Sequence, residues 1–205
     1  MREFIYYSEH AKTTGNFDSN NLMKAGRMDI ACQMVIMSFF ISHHIRNDVK
    51  LHMIFNGPPN APVHLELFPG ENEEGELKSK IEISKKDVAG FIKKMLYKVK
   101  KGEKTEIAPG YNVEKKSFTD LVKKMLDEGK KVYILDRKGG DVRTLKDNDF
   151  EDSVFVLGDQ DGIPKEQIKK LKKMGVEKIS IGKQMYFASQ TMTILQNEMD
   201  RREYE

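Results

Sequence analysis

Two acids and two glycines crowd the stretch VFVLGDQDGIP, Val154 to Pro164, and they limit what chemistry it can carry. A Walker phosphate loop needs glycines five apart followed by Lys and Ser/Thr, whereas Gly158 and Gly162 are four apart and Ile163 follows. If Asp159 and Asp161 held the third and fifth positions of a calcium loop, Leu157 and Ile168 would stand first and twelfth, and neither supplies an oxygen ligand. No GxGxxG fingerprint occurs in the chain. What remains is a strand end where backbone approaches something closely, or a Gly/Asp turn that only links strand to helix. On the first reading Gly158→Val is expected to block the ligand by filling that approach, with the fold largely intact. Cys32 lies inside a very apolar segment and reads as a buried structural thiol rather than a nucleophile. His10, His43, His44, His52 and His64 show no Cys/His or i,i+4 ligand spacing, so no metal is expected.

The elements around these residues alternate. Phe4–Ser8 reads as a first strand and Met28–Ile45 as a long helix, apolar on nearly every side and therefore buried. KLHMIFNG, ending at Asn56-Gly57, and Val63–Phe68 read as further strands, with an acidic loop after them. Ser84 with Asp87 and Ser117 with Asp120 resemble capping boxes that open two Lys-faced helices, 85–101 and 118–130. Lys131–Asp136, the VFVLGD run and Glu177–Gly182 supply three more strands, and Pro164 opens a Lys/Glu-rich helix between the last two. The segment 184–203 reads as a closing helix with Met185, Ala188, Met192, Leu195 and Met199 on one stripe, suited to packing on the body or on a partner subunit.

Such alternation predicts an α/β fold with a largely parallel sheet. Three strand ends then converge, at Leu135-Asp136, Leu157-Gly158-Asp159 and Ser180-Ile181-Gly182, and together they make a better ligand site than the opening loop alone. The 205 residues suffice for a single domain, 1–205. One cysteine excludes an intramolecular disulfide, and no signal pattern or 18-residue apolar run occurs, so a soluble cytoplasmic protein is expected. The net charge of +3 permits RNA as a partner without requiring it, since Lys/Glu-rich surfaces also occur in thermophiles.

VFVLGDQDGIP, EKISIG and QMYFASQTMTILQNEMDR, in that order, resemble the SPOUT superfamily of S-adenosylmethionine-dependent RNA methyltransferases. With AGRMDIACQ and MIFNGPPNAPVHLELFPG, the whole chain is similar to the archaeal TrmY family of tRNA pseudouridine-54 N1-methyltransferases. The resemblance implies a mostly parallel sheet flanked by helices, a deep trefoil knot within about 131–205, and a homodimer with each cofactor pocket at or beside the interface. It places S-adenosylmethionine against Leu135, Leu157, Gly158, Ser180, Ile181, Gly182, Met185 and Ala188, with Asp159 either at the cofactor or in the turn. The resemblance implies Leu at the position of Met185, a conservative change that leaves the pocket plausible.

The implied reaction removes a proton from N1 of a T-loop pseudouridine in tRNA and aims the lone pair at a sulfonium methyl, with no covalent enzyme intermediate. Asp29 would accept the proton and Arg27 would fix a phosphate or carbonyl, although both also read as first-turn helix charges. Asn56 would hydrogen-bond a uracil edge or cap a turn, and Tyr186 and Phe187 would stack on a flipped base or pack in a dimer. Lysines around 93–94, 98–101, 115–116 and 123–124 would guide tRNA phosphates as a set, or stand as solvated helix faces. Two other readings keep the fold: a methyltransferase acting on ribosomal RNA pseudouridine, and a noncatalytic RNA-binding module.

Overall fold

A computed structural model describes residues 1–70 and 84–202. The acidic loop expected after Phe68 lies outside them. In chain order the strands are β1 (Arg2–Ser8), β2 (Phe40–Ile41), β3 (His44–Ile45), β4 (Val49–Phe55), β5 (Val63–Leu67), β6 (Thr105–Ala108), β7 (Tyr111–Glu114), β8 (Lys131–Asp141), β9 (Ser153–Gly158) and β10 (Glu177–Ser180). The helices are α1 (Met28–Phe39), α2 (Lys85–Leu96), α3 (Phe118–Asp127), α4 (Asn148–Glu151), α5 (Lys165–Lys173) and α6 (Ala188–Arg202).

Eight strands form one sheet in the order β10-β8-β9-β1-β4-β5-β7-β6. β10, β8, β9, β1 and β4 run parallel, and β5, β7 and β6 continue the sheet antiparallel. β1 sits in the middle and is buried along its whole length, consistent with its unbroken apolar run. One face carries α1, α2 and α6, whose buried Met34, Val35, Ile92, Met192 and Leu195 meet Leu51, Met53, Leu65 and Val113 of the sheet. The other face carries α3 and α5, with Leu121, Val122 and Leu171 against Ile5, Ile54, Val154 and Val156.

The alternation of strands and helices is as expected, but boundaries differ. α1 stops at Phe39 rather than Ile45, because Phe40-Ile41 pairs antiparallel with His44-Ile45 around a turn in which His43 takes φ 66°. A helical period cannot see that competing hairpin. β6 and β7 were not expected; they are short, and Tyr111 and Val113 are the only fully buried residues in β7. α6 begins at Ala188, so Met185 leaves the stripe and is 78% exposed, while Met192, Leu195 and Met199 pack on the body rather than on a partner. Both serine caps form: Ser84 and Ser117 accept the backbone N–H of Asp87 and Asp120 at 3.1 Å. The acids do not reach back to the cap N–H as a glutamate would; they accept the serine hydroxyls instead.

Candidate active site

The chain leaves β8 towards the α1 face, through Val142 and Phe150, and leaves β9 towards α5 on the other face. Exits to opposite faces from adjacent parallel strands open a crevice between their carboxyl ends. A cavity of about 300 Å³ lies there, at the lower bound of small-molecule sites. All the residues assigned to cofactor binding line it: Leu135, Leu157, Gly158, Asp159, Ser180, Ile181, Gly182, Met185 and Ala188. Leu135, Leu157 and Ile181 stand on its apolar wall with Ile134, Ile163 and Ile168.

Each glycine has a separate reason. A Cβ on Gly158 would come within 2.6–2.8 Å of the backbone of Gly162 and Ile163. The close approach read from the sequence is therefore made by the loop's own backbone, not by a ligand alone. Replacing Gly158 must open the loop, and the expectation that Gly158→Val spares the local fold is corrected. Gly162 and Gly182 have φ 76° and 136°, conformations that L side chains rarely adopt. Ser180 fixes the Gly182 turn, accepting its N–H at 3.0 Å and donating to its carbonyl at 2.9 Å.

Asp159 is 8% exposed, and its carboxylate accepts from Ser8 Oγ at 2.9 Å and from the backbone N–H groups of Glu9 and Asp161 at 3.1 and 3.0 Å. It shapes the wall by tying the end of β1 to the loop after β9. The turn reading of Asp159 thus explains its contacts.

A second cavity, of about 640 Å³, shares Asp159, Gly162, Met185, Tyr186 and Ala188 with the first. Arg27, Asp29, Phe187 and Gln190 complete its polar and aromatic wall. Arg27 takes φ 61° and ψ 40° at the N-cap of α1, a left-handed conformation that is strained for a long side chain. Its Nε and one terminal nitrogen bind both Asp29 oxygens at 3.0 Å. The pair is half-exposed, and the Arg27 hydrogen bonds hold the Asp29 carboxyl below the usual carboxylate range. Asp29 is thus ionised at neutral pH but a weakened base.

Tyr186 and Phe187 stand 45% and 72% exposed on this wall. Asn56 lines neither cavity; it donates to Glu9 at 3.1 Å. Cys32 is fully buried, and burial pushes its thiol up to about 12, so it remains protonated. Residues the sequence reading missed include Arg137 and Thr191 on the first cavity and Ile30 and Gln33 on the second, whereas Asp136 stood at one of the converging strand ends. Ile30 immediately follows Asp29 and Gln33 lies one turn on, so an amphipathic reading of the α1 start offered a signal for Gln33.

The lysines split. α2 packs on one face of the sheet and α3 on the other, so Lys93-Lys94 and Lys123-Lys124 do not form one patch. Lys93 donates to the Phe17 carbonyl, while Lys116, Lys123 and Lys124 pair with Glu114, Asp127 and Glu128.

Residues 1–204 match the model of a family described as "Putative SAM-dependent RNA methyltransferase". The chain is 34% identical over 206 residues to the tRNA (pseudouridine(54)-N(1))-methyltransferase of Methanococcus aeolicus, with 98% of each chain covered. It is also 34% identical to the enzyme of that name in Methanocaldococcus jannaschii, again with 98% of each covered. The one from Methanosarcina acetivorans is 33% identical, covering 100% of this chain and 93% of that protein. Among solved structures, Archaeoglobus fulgidus Nep1 bound to S-adenosylhomocysteine superposes over 100% of both chains, with a TM-score of 0.64 at 12% identity.

Proposed function

Since the chain belongs to this family of S-adenosylmethionine-dependent RNA methyltransferases, we propose that it methylates N1 of pseudouridine 54 in the tRNA T-loop. The observation that carries the reading is the junction of the two cavities. The first is a strand-end slot of about 300 Å³ with apolar walls, and the second meets it at Asp159, Gly162, Met185, Tyr186 and Ala188 and is lined by the Arg27–Asp29 pair.

S-adenosylmethionine, held by the β8, β9 and β10 ends, supplies an electrophilic methyl group. Leu135, Leu157 and Ile181 would enclose the adenine, and N–H and C=O groups at the strand ends would read its edge. Across the junction, Tyr186 and Phe187 stack on the extruded base, and Arg27 fixes its phosphate or carbonyl. Asp29 takes the N1 proton; as a weakened base it contributes less than in-line positioning does. Asn56 can act on the base only if the RNA or the loop before Val63 shifts towards it.

The finer parts of this reading are a homodimer, a C-terminal trefoil knot and a cytoplasmic location alongside tRNA, in one domain of residues 1–205. Exposed Met185 beside the cavity favours a partner subunit there. The knot is what the family resemblance implies for about 131–205. Sedimentation as a single chain would remove the dimer, and an experimental trace of residues 131–202 without threading would remove the knot.

Tritiated methyl transfer to paired tRNAs carrying uridine or pseudouridine at position 54 tests the function. Transfer only to the pseudouridine form is expected. Transfer only to a ribosomal hairpin would redirect the substrate, and no calorimetric binding of S-adenosylmethionine would leave a noncatalytic RNA-binding module.

A further inference from the structure

The α3 face of the sheet turns polar where it passes onto β4, β5 and β7. Strand alternation places His52, His64, Glu66 and Glu114 on this face, with Glu3 of β1 beside His52. Their separation in sequence is irregular, because the cross-strand register brings them together. His52 and His64 are 3% and 1% exposed.

Their hydrogen bonds leave a conflict at the centre. His52 Nε2 lies 2.8 Å from Glu3 Oε1, and His64 Nδ1 lies 3.0 Å from Glu114 Oε1. An ionised carboxylate only accepts, so both of these ring nitrogens carry hydrogen. A neutral imidazole has one N–H, which makes the other nitrogens bare lone pairs. Those are His52 Nδ1 and His64 Nε2, which face each other at 2.9 Å. Two buried acceptors at that distance require a cation between them, either a proton or a metal ion.

A third ligand is already aimed. Lys104 and Asn112 both bind Oε1 of Glu66, at 2.8 and 3.2 Å, which turns Oε2 to within 3.9 Å of His52 Nδ1. The three ligand atoms lie within 4.8 Å of one another. Two zinc-bound nitrogens in tetrahedral geometry stand about 3.3 Å apart, so the pair need open by only a few tenths of an ångström. Glu3 and Glu114 occupy the outer positions that carboxylates take behind metal-bound histidines, and Lys130 and Lys116 hold them.

We propose that His52, His64 and Glu66 bind a borderline divalent transition metal of the zinc class, which ties β4 to β5. Two imidazoles with one carboxylate suit such an ion better than magnesium or calcium. None of these residues lines either cavity, so the ion is structural and the proposal does not depend on the methyl-transfer reading.

The test titrates the full chain, stripped of metal with a chelator, with Zn2+ by calorimetry and with Co2+ by visible absorption. One equivalent of each is expected to bind, with ligand-field bands for Co2+ and a raised melting temperature. His64→Asn should abolish the bands. If that variant does not fold, Glu3→Gln and Glu114→Gln, which keep every ligand atom, should weaken Zn2+ about 10–100-fold. A double His43→Ala, His44→Ala change in the exposed β2–β3 turn should leave binding unchanged. Absence of stoichiometric binding to the folded wild type would overturn the site. So would full affinity in both Glu variants, or a shared imidazole proton that persists in the histidine NMR spectrum under excess Zn2+.

Discussion

At the residue scale the site rests on conformations that cost the chain stability. Arg27 is held left-handed so that its guanidinium can grip both oxygens of Asp29 at the cavity wall. Asp29→Asn should lower single-turnover methyl transfer, by at most about 10²-fold given the weakened base, and change tRNA affinity only a few-fold. Because Arg27 depresses the Asp29 pKa, the rate should stay flat through neutrality and fall only as the carboxylate protonates well into the acid range. Unchanged turnover in the Asn variant would remove Asp29 from the proton transfer. Gly158→Val should cost about 1–3 kcal/mol of stability as well as cofactor affinity, because the new side chain strikes the Gly162–Ile163 backbone. Thermal melts paired with S-adenosylmethionine calorimetry check this, and wild-type values in both would refute the loop geometry.

At the element scale, α6 joins the site to the rest of the fold. Its first turn lines both cavities, and its last turn is anchored by Asp200, which accepts from Arg2 at 2.6 Å and from Arg46 at 2.8 and 2.6 Å. Arg2 belongs to the central strand and Arg46 to the turn before β4, so one carboxylate fastens the helix to two places. Burial pushes the Asp200 pKa up, but the two guanidinium groups outweigh it and hold it low. Asp200→Asn should therefore destabilise the fold by about 1–3 kcal/mol, with faster amide exchange at the end of α6 in hydrogen-exchange measurements. Exchange unchanged from wild type would show that packing of Met192, Leu195 and Met199 alone holds the helix.

At the scale of the whole molecule, acid stability should be set by the cross-sheet chain Lys130–Glu3–His52–His64–Glu114–Lys116. The folded pKa of His64 is about 4 against an ordinary 6.5, so in the metal-free protein its contribution is full above about pH 6.5 and is lost as pH falls towards 4. His52 opposes its protonation, while Glu114 and Glu66 favour it; Lys116 and Lys104 pair with those two carboxylates. The loss should reach about 2–3 kcal/mol, and denaturant melts between pH 7 and 4 should be flatter in His64→Gln. Below that, the Glu114 carboxyl, held at about 2 first by the His64 hydrogen bond and then by Lys116, continues the decline. Burial pushes the Glu3 carboxyl up, but His52 and Lys130 outweigh it and hold it at about 2 as well.

Local pattern was enough for the crevice at the strand ends. Apolar runs of four to seven residues, a glycine at each of two strand ends and a proline before a charged helix are properties of contiguous sequence, and they bring the strand ends of Leu135, Gly158 and Gly182 together, as the cavity they line shows. The family resemblance, also contained in the sequence, supplied Met185, Ala188 and the Arg27–Asp29 candidates. Tertiary structure alone decided what depends on distant segments meeting: the hairpin that cuts α1 short, the loop backbone that makes Gly158 obligatory, and the carboxylate of Asp159 spent on Ser8 and Glu9. It also separated the lysines onto opposite faces and brought His52, His64 and Glu66 within ligand distance. The reason is physical: periodicity records which face of an element is buried, whereas strand register and crossing fix which faces meet, and those are set by the packing of the whole sheet.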